Sequence, residues 1–177
     1  MDEVLGAHHS AAMRNRILIP FGMNASFYNG VEKSLEDIIS GYVVDDEYGE
    51  FDSKPYYENI GVADAPLTAS VEDLALLLKM IVGQDGVVSA CVQDQLFGES
   101  HLVVIDESTS YGLGLFIETV NNKVVDHHNG LEPEYSTTNF YIPDSQTSIT
   151  IFVNCGLSAQ CEEKTDLLSR TVLFNEL

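Results

Sequence analysis

The pattern of apolar and polar positions is clearest in the last third of the chain. Residues 136–142 alternate polar with apolar or aromatic side chains, which is typical of a strand with one wetter face. Apolar residues occupy both the even and the odd positions of residues 149–153, except at Thr150. This pattern predicts a strand that is covered on both faces. Val124 and Val125 lead into an earlier strand. Because short links join these segments, the pattern predicts an antiparallel sheet.

Helical patterns flank this predicted sheet. Residues 70–82 carry apolar side chains at helical spacing, with Ser70 as the N-cap and Asp73 completing a near capping box. A further helical turn is expected near residues 89–96, and residues 160–175 predict a closing helix. The apolar side chains of the closing helix that we expect to face the sheet are Leu167, Leu168, Thr171, Val172 and Phe174.

The beginning of the chain predicts one long helix. It covers residues 2–18 and ends before Pro20, because proline drives the preceding residue out of helical backbone conformation. His8 and His9 lie within this predicted helix. Adjacent helical residues point about 100° apart, so we expect two surface histidines here rather than a metal-binding pair.

The middle of the chain has weaker patterns. Residues 24–66 predict a long excursion with a short helix around residues 31–39. Residues 102–105 and 111–120 predict strands, and Asn121-Asn122 predicts a two-residue hairpin turn after the second of them. The polar segment between the two predicted strands separates them.

Length and composition favour one folded domain. With 177 residues and 45% hydrophobic residues, the chain is large enough for a substantial core. We expect a single α+β domain over residues 1–177, mainly helices and loops in 1–100, with the antiparallel sheet and its closing helix in 101–177.

Charge excludes several classes of partner. The chain has 28 acidic and 8 basic residues, a net charge of −20, which repels a phosphate backbone or an anionic membrane. We therefore expect no nucleic-acid partner. No apolar run reaches the roughly 20 residues that span a bilayer, so no membrane span is expected. The start of the sequence, Met1-Asp2-Glu3, is acidic and no apolar h-region follows it, which predicts no signal peptide within this chain.

The cysteines do not form a metal-binding motif. Cys91, Cys155 and Cys161 lack the spacing of zinc ligands. Cys155 and Cys161 are close enough in sequence to form a disulfide, but an odd and sparse count favours free, partly buried thiols.

Four segments together resemble a family of hydrolases. Residues 128–136, HNGLEPEYS, are similar to the His-Gly-Gly-x-x-Pro-Gly-Phe-Ser segment of the serine β-lactamase-like hydrolases. This family includes class C β-lactamases, low-molecular-weight penicillin-binding proteins, D-aminopeptidases and esterases. In the family's order, residues 19–23, 68–74 and 111–114 resemble its Pro-Leu-Gly-Met, Ser-Thr-Ala-x-Asp-Leu and Tyr-Gly-Leu-Gly segments. The resemblance covers nearly the whole chain but only the C-terminal half of the family's domain.

The resemblance implies a fold and a site. The fold would be an antiparallel sheet flanked by helices, a partial β-lactamase/transpeptidase-like fold without the N-terminal strands and the nucleophile helix. His128-Asn129-Gly130 would be the family's third motif, in which His128 orients substrate or relays a proton and Gly130 lets the backbone approach it. The Leu131 N–H would be an oxyanion donor. Glu134 stands where the family usually has glycine. No cofactor and no metal are implied.

The family's nucleophile motif, Ser-x-x-Lys, does not occur in these 177 residues, because no lysine has Ser or Thr three positions before it. Cys161 stands three residues before Lys164, but it follows the His-Asn-Gly segment, where the family has its closing helix. Tyr57-Glu58-Asn59 matches the family's Tyr-x-Asn triplet in letters only, because it follows residues 19–23 instead of preceding them. Whether the chain is itself an enzyme stays open at this point.

Three functional hypotheses remain. The first is the C-terminal portion of a serine hydrolase, which acts on a β-lactam, D-amino-acid peptide or ester when complete and is inactive alone. Its cleft would take a small-molecule or peptide substrate. The alternative is a stand-alone, non-catalytic binding or regulatory protein with a degenerate form of the same fold. The third is an enzyme that uses other residues.

The resemblance also predicts a partner for the strand at residues 149–153. The family's missing strands would pair beside it, and an apolar open edge invites association. We expect another copy of the chain, a separate N-terminal fragment or the chain's own N-terminus to cover this edge.

Overall fold

A computed structural model describes residues 1–45, 47–57, 66–157 and 160–177. The short elements of the first part are α1 (Asp2–Leu5), α2 (His9–Met13), a π-helical turn (Arg14–Leu18), β1 (Phe27–Tyr28), a 3₁₀ turn (Leu35–Asp37), β2 (Tyr42–Asp45), β3 (Gly49–Asp52), a second 3₁₀ turn (Lys54–Tyr57) and β4 (Leu67–Thr68). Two longer helices and a third 3₁₀ turn follow: α3 (Val71–Val82), α4 (Ala90–Phe97) and Glu99–His101.

The rest of the chain forms an antiparallel sheet and a closing helix, as the sequence predicts. The elements are β5 (Val103–Val104), β6 (Thr109–Tyr111), β7 (Phe116–Val120), β8 (Lys123–Leu131), β9 (Ser136–Ile142), β10 (Thr147–Val153) and α5 (Cys161–Glu176). The spatial order is β10-β9-β8-β7-β6-β5, so every strand pairs with its neighbours in sequence. Asn121 and Asn122 both have positive φ, 51° and 62°, which suits the tight turn between β7 and β8.

Helices cover both faces of this sheet. On one face, Tyr141 of β9 packs with Leu78 of α3. On the other, Phe140 packs with Leu173 of α5. Successive side chains of a strand point to opposite faces, so even-numbered and odd-numbered β9 residues contribute to different cores. The sequence predicted that one face of β9 is more exposed to water, and this prediction is wrong. Both faces are buried, and even the polar Thr138 and Asn139 are each 4% exposed.

Helix α3 starts where the sequence predicts. The Ser70 hydroxyl accepts a hydrogen bond from the Asp73 N–H at 3.1 Å, an N-cap contact. The Asp73 carboxylate accepts from the backbone N–H groups of Ala25 and Ser26 at 2.8 and 2.7 Å. A buried acceptor shared in this way ties the α3 N-terminus to the loop before β1.

The predicted helix over residues 2–18 is wrong as a single element. It breaks after α1 because Gly6 adopts the left-handed conformation, φ 65°, that ends a helix. The chain restarts at α2, with His8 as its N-cap, and continues into the π-helical turn. A glycine in an otherwise periodic pattern is a natural end point for a helix.

The excursion over residues 24–66 also differs from the expectation. The short helix predicted around residues 31–39 is only the 3₁₀ turn Leu35–Asp37. Strands β2 and β3 form a separate antiparallel pair, and β1 pairs with β4. Glu58 and Asn59, which complete the Tyr-x-Asn letters, lie outside the described residues.

The strand predicted over residues 111–120 is interrupted. Its first part belongs to β6 and its second part is β7, with Gly112–Leu115 forming a turn between them. The Gly112 N–H donates to the Leu115 carbonyl at 2.8 Å across that turn. The chain therefore reverses at the two glycines of the pattern. A Cβ at Gly112 would lie 2.4 Å from the Leu96 carbonyl oxygen, so glycine at this position also permits a close approach of two backbone segments.

Strand β10 is an end strand of the sheet within the described residues. Its own chain reaches it just beyond the strand's last residue, where the Tyr42 N–H donates to the Asn154 carbonyl at 3.1 Å. The N-terminal elements α1 and α2 do not pair with β10. No helix in the described part of the chain is long and apolar enough to cross a membrane.

The orientation predicted for the closing helix is wrong. Leu167, Leu168 and Phe174 are 68, 49 and 52% exposed, and Thr171 is exposed as well. The side chains that α5 buries are Thr165, Ser169 and Leu173, and Val172 is partly buried. Two polar positions face the sheet because polar groups on β9 meet them: the Ser169 hydroxyl donates to the Thr138 hydroxyl at 3.2 Å. Polar pairing thus overrides the apolar pattern.

The prediction of free thiols at Cys155 and Cys161 is also wrong. The two cysteines form a disulfide, with their Cα atoms 5.9 Å apart. The end of β10 and the start of α5 bring them together, which the odd cysteine count could not reveal. Cys91 is the remaining thiol and is exposed.

We expect loss of this disulfide to lower the free energy of unfolding by about 2 kcal/mol, because a cross-link over six positions closes only a small loop of the unfolded chain. Urea denaturation of Cys155→Ser/Cys161→Ser measures this loss. The control is Cys91→Ser, which removes an exposed thiol and should leave stability unchanged. Equal stability of the double variant and the parent would contradict a formed disulfide.

Candidate functional site

The His128-Asn129-Gly130 motif lies within β8 and not at a corner after it. The strand continues to Leu131, and its pairing with β9 extends to that residue. Pairing with β7 stops earlier, at Phe116 opposite His127. Residues 128–131 therefore form the end of a strand that is paired with β9 on one side and, among the described residues, has no strand paired on its other side.

The hydrogen bonds of His128 assign its tautomer. Nδ1 lies 2.8 Å from the backbone carbonyl oxygen of Asn129. A carbonyl can only accept, so Nδ1 carries the proton and Nε2 presents its lone pair. The Tyr111 hydroxyl lies 3.5 Å from Nε2, at the long limit of a hydrogen bond. An exposed imidazole whose Nε2 makes only this long contact can accept a proton from a bound molecule.

The backbone of β8 also presents N–H donors on the side where its pairing with β7 has ended. The Glu132 N–H donates to the Tyr135 carbonyl at 2.8 Å, which makes this pair a hydrogen-bonded one. Hydrogen-bonded and non-hydrogen-bonded pairs alternate along an antiparallel ladder, so the N–H groups of Leu131 and Asn129 point away from β9. They point toward the side where β7 has already ended. This geometry suits an oxyanion donor at Leu131.

A packing contact that the sequence did not indicate favours glycine at position 130. A Cβ at this position would lie 2.5 Å from the hydroxyl oxygen of Thr137, its partner on β9. The missing side chain therefore makes room for the cross-strand threonine. The resemblance implies that Gly130 lets the protein backbone come close to substrate, and the contact with Thr137 is a second constraint on the same residue.

Glu134 fits its position without backbone strain. It is not among the residues with positive φ, so the glycine usual in the family is not required for the conformation here. The side chain is 1% exposed and lies over Gly41, where any Cβ would come within 2.5 Å of the Glu134 Cγ. Its Oε1 has no hydrogen-bond partner among the described residues. Glu134 thus packs the loop after β8 against the segment before β2.

His127 points to the opposite face and takes part in a separate cluster. Its ring stacks on Phe116, with centroids 5.2 Å apart. Nε2 lies 3.3 Å from the Glu118 carboxylate, which also accepts a 2.7 Å hydrogen bond from Arg170 of α5. Burial lowers the pKa of His127, and the Glu118 carboxylate opposes this effect. This histidine belongs to a buried cluster and points away from His128.

Asp126 is a buried acid that the sequence reasoning missed. It is 6% exposed, and its partner on β9 is Tyr141, so both point to the α3 face together with His128. Burial raises the pKa of the Asp126 carboxyl from 3.8 to about 6. Burial also raises the pKa of the Tyr141 hydroxyl, with a smaller contribution from Asp126. The sequence feature that could have pointed to Asp126 was a single acidic residue directly after Val124-Val125 in a predicted strand.

The structure also brings the other family-like segments together around this strand. Tyr111, from residues 111–114, reaches His128. Leu74, at the end of residues 68–74, accepts a 3.0 Å hydrogen bond from the Asn139 amide of β9. Phe21 and Met23, from residues 19–23, pack with α3 side chains in a further core cluster. The segments are thus parts of one architecture.

The ammonium groups of three lysines contact backbone oxygens or an aromatic ring. Lys54 donates to the carbonyls of Glu36 and Ile38 at 3.0 and 2.6 Å. Lys123 donates to the backbone carbonyl oxygen of Leu177 at 2.6 Å, and Lys33 lies over the Phe27 ring. Their ammonium groups therefore have structural partners in the described part of the chain.

Comparison with known proteins identifies the architecture. No protein-family model matches the chain, and no curated protein matches it either. Among solved structures, the octameric penicillin-binding protein homologue from Pyrococcus abyssi is 28% identical, with a TM-score of 0.70 over 87% of this chain and 35% of that chain. The penicillin-binding protein from Bacillus halodurans is 16% identical, with a TM-score of 0.76 over 98% of this chain and 51% of that one.

A third similar structure is the D-amino acid amidase from Ochrobactrum anthropi SV3 complexed with D-phenylalanine. It is 16% identical, with a TM-score of 0.70 over 88% of this chain and 47% of that one. The chain spans about a third to a half of the length of these three structures. The chain therefore has part of the serine β-lactamase-like fold that penicillin-binding protein homologues and D-amino acid amidases share.

Proposed function

We propose that this chain is the C-terminal portion of a β-lactamase-like serine hydrolase and supplies one wall of its cleft. The observation that carries the proposal is the end of β8. There, His128 presents an unprotonated Nε2, and the Leu131 N–H points away from β9, to the side where the pairing with β7 has ended. A proton acceptor and a backbone donor on one strand suit the tetrahedral intermediate of acyl transfer.

The nucleophile and its base would come from residues outside this sequence. An acyl-transfer site needs an activated serine beside a base, and the Ser-x-x-Lys spacing is absent here. Lys54 and Lys123 donate to carbonyl oxygens, which occupies the ammonium groups that a base would need free. The chain alone would therefore bind substrate weakly and not turn it over.

The substrate class we propose is a D-amino-acid amide or peptide. The support is the similarity to a structure described as a D-amino acid amidase, together with a cleft strand that offers a backbone donor and a histidine. β-Lactams and carboxylic esters are the other substrates of the hypothesis, and the experiment below distinguishes them.

The free edge of β10 fits the same proposal. A strand from the remaining part of the hydrolase would pair along β10, whose outer side the chain itself reaches only near Asn154 within the described residues. A second copy of the chain is the other candidate, and one similar structure is described as octameric. Unpaired strand edges otherwise promote uncontrolled association.

The test is to express the complete reading frame that contains this sequence and assay it on D-phenylalanine amide, a chromogenic cephalosporin and a p-nitrophenyl ester. We expect turnover of the D-amide, and a loss of about 10²-fold in kcat/KM in His128→Ala, the usual effect of removing a general acid or base. His101→Ala is the matched control, because His101 is exposed and lies in the 3₁₀ turn before β5.

Two further readouts belong to this experiment. The 177-residue chain alone should give no covalent adduct with a fluorophosphonate. The β10 amides that point away from β9 should exchange slowly in the complete protein but rapidly in the chain alone. Turnover or acylation by the chain alone would refute the missing-nucleophile proposal. Full activity of His128→Ala would refute the role of His128, and preference for the cephalosporin or the ester would refute the proposed substrate.

A further inference from the structure

The turn between α1 and α2 brings three potential metal ligands together. Gly6 reverses the chain in the left-handed conformation, and His8 is the N-cap of α2 with extended backbone, φ −59° and ψ 133°. Asp2 of α1 therefore faces His9 of α2. Its Oδ1 accepts from the His9 backbone N–H at 3.0 Å and lies 2.8 Å from His9 Nδ1.

The two histidine rings lie side by side because His8 is outside the helix. Their centroids are 4.5 Å apart and their planes differ by 23°, a stacked arrangement. The 100° separation expected for neighbours within a helix does not apply to a cap residue. Asp2, His8 and His9 each offer one ligand atom, and these atoms all lie within 4.8 Å of one another.

Neighbouring side chains orient both rings. His9 Nε2 hydrogen-bonds the hydroxyl of Tyr28, a residue that is only 2% exposed, so His9 is anchored to the core by one nitrogen and faces Asp2 with the other. His8 Nδ1 accepts from the Ser10 backbone N–H at 3.3 Å and lies 2.9 Å from the Ser10 hydroxyl. Binding of an ion at Nε2 requires the ring proton to move to Nδ1, which would then donate to the Ser10 hydroxyl. Protein metal sites have the same organisation, in which the second ring nitrogen of a ligating histidine bonds an oxygen.

We propose that Asp2, His8 and His9 bind a divalent transition-metal ion of the Zn²⁺ class. Two imidazole nitrogens and one carboxylate oxygen suit Zn²⁺, Cu²⁺, Ni²⁺ and Co²⁺, whereas Mg²⁺ and Ca²⁺ prefer oxygen ligands alone. Asp2 and His8 are exposed, so water completes the coordination. The net charge of −20 favours cations near the surface. The ion would clip α1 to α2 and does not depend on the hydrolase proposal.

The experiment is isothermal titration of the metal-free 177-residue chain with ZnCl₂ at pH 7.5. A Cys91→Ser background removes the exposed thiol, which could bind Zn²⁺ itself. We expect one saturable Zn²⁺ site and no saturable binding of Mg²⁺. His8→Ala and Asp2→Asn should each weaken Zn²⁺ affinity by about tenfold or more, and Tyr28→Phe by a similar or smaller factor, since orienting groups matter for affinity.

His101→Ala is the control for loss of an exposed histidine outside the cluster, and it should leave Zn²⁺ affinity unchanged. Circular dichroism checks that each variant is folded. This check matters for His8→Ala, which also removes the capping contact from the Ser10 N–H to His8 Nδ1 at 3.3 Å. The absence of saturable Zn²⁺ binding would overturn the proposal. Unchanged affinity in the folded Asp2→Asn/His8→Ala double variant would overturn it too, since the ion would then bind elsewhere.

Discussion

Asp126→Asn should stabilise the protein by about 3 kcal/mol at pH 8. The carboxyl is buried beside Tyr141, and burial raises its pKa from 3.8 to about 6. Each pKa unit corresponds to about 1.4 kcal/mol, so the difference of about 2 units between folded and unfolded chain gives this figure. Asparagine keeps the size of the side chain and cannot ionise. For a chain of this length the gain should appear as a rise of about 6 to 12 °C in Tm.

The sign of the pH dependence follows from the raised pKa. A carboxyl that binds its proton more tightly in the folded state contributes stability below pH 3.8, and this contribution is lost as the pH rises through about 6. The advantage of Asp126→Asn should therefore grow between pH 4 and pH 7 and then level off. Thermal melts of both proteins across this range measure it.

The matched control is Asp144→Asn, which neutralises an exposed carboxylate at the turn between β9 and β10. Its effect on Tm should be small and should not follow the same pH curve. A variant Asp126→Asn that is no more stable than the parent at pH 8 would show that the buried carboxylate is solvated or paired after all.

Gly156→Ala should destabilise the protein by about 3 kcal/mol, at the upper end of the cost of overpacking. A Cβ at Gly156 would lie 1.7 Å from the backbone carbonyl oxygen of Glu132 and 2.8 Å from the carbonyl carbon of Pro133. Backbone atoms cannot rotate away, so the loop after β8 must move. Because that loop follows Leu131, the displacement would reach the proposed oxyanion donor.

Gly114→Ala is the control for this substitution. Gly114 has φ 79° with nothing within 4 Å of its Cβ position, so alanine there meets strain but no clash, at a cost of about 1 to 2 kcal/mol. Chemical denaturation ranks the two variants. If Gly156→Ala costs no more than Gly114→Ala, the close packing of residue 156 on the Glu132–Pro133 backbone is not rigid.

Local signals predicted the parts of the fold in which sequence neighbours are also spatial neighbours. The strands over residues 123–153 pair with their neighbours in sequence, so their apolar pattern and the Asn121-Asn122 turn sufficed. Helix α3 was also predictable, because its N-cap and its periodicity are contained within thirteen residues. The order of four motif-like segments carried the family resemblance, which the solved structures support.

Errors arose where distant contacts decide the outcome. Ser169 and Thr165 of α5 face the sheet because Thr138 and Ser136 of β9 offer them hydroxyl partners, and no periodicity within α5 reveals this. The Cys155–Cys161 disulfide depends on how β10 meets α5, and cysteine counting pointed the other way.

By itself, the sequence determined an α+β domain with an antiparallel C-terminal sheet and a histidine motif at residues 128–130, because hydrophobic periodicity and turn residues act locally. Only the tertiary structure decided the chemistry of the individual groups. The carbonyl of Asn129 selects the His128 tautomer, burial beside Tyr141 raises the pKa of Asp126, and the Gly6 turn brings Asp2 to His9. These properties depend on distances between groups and on exclusion of water, and both exist only once the chain has packed.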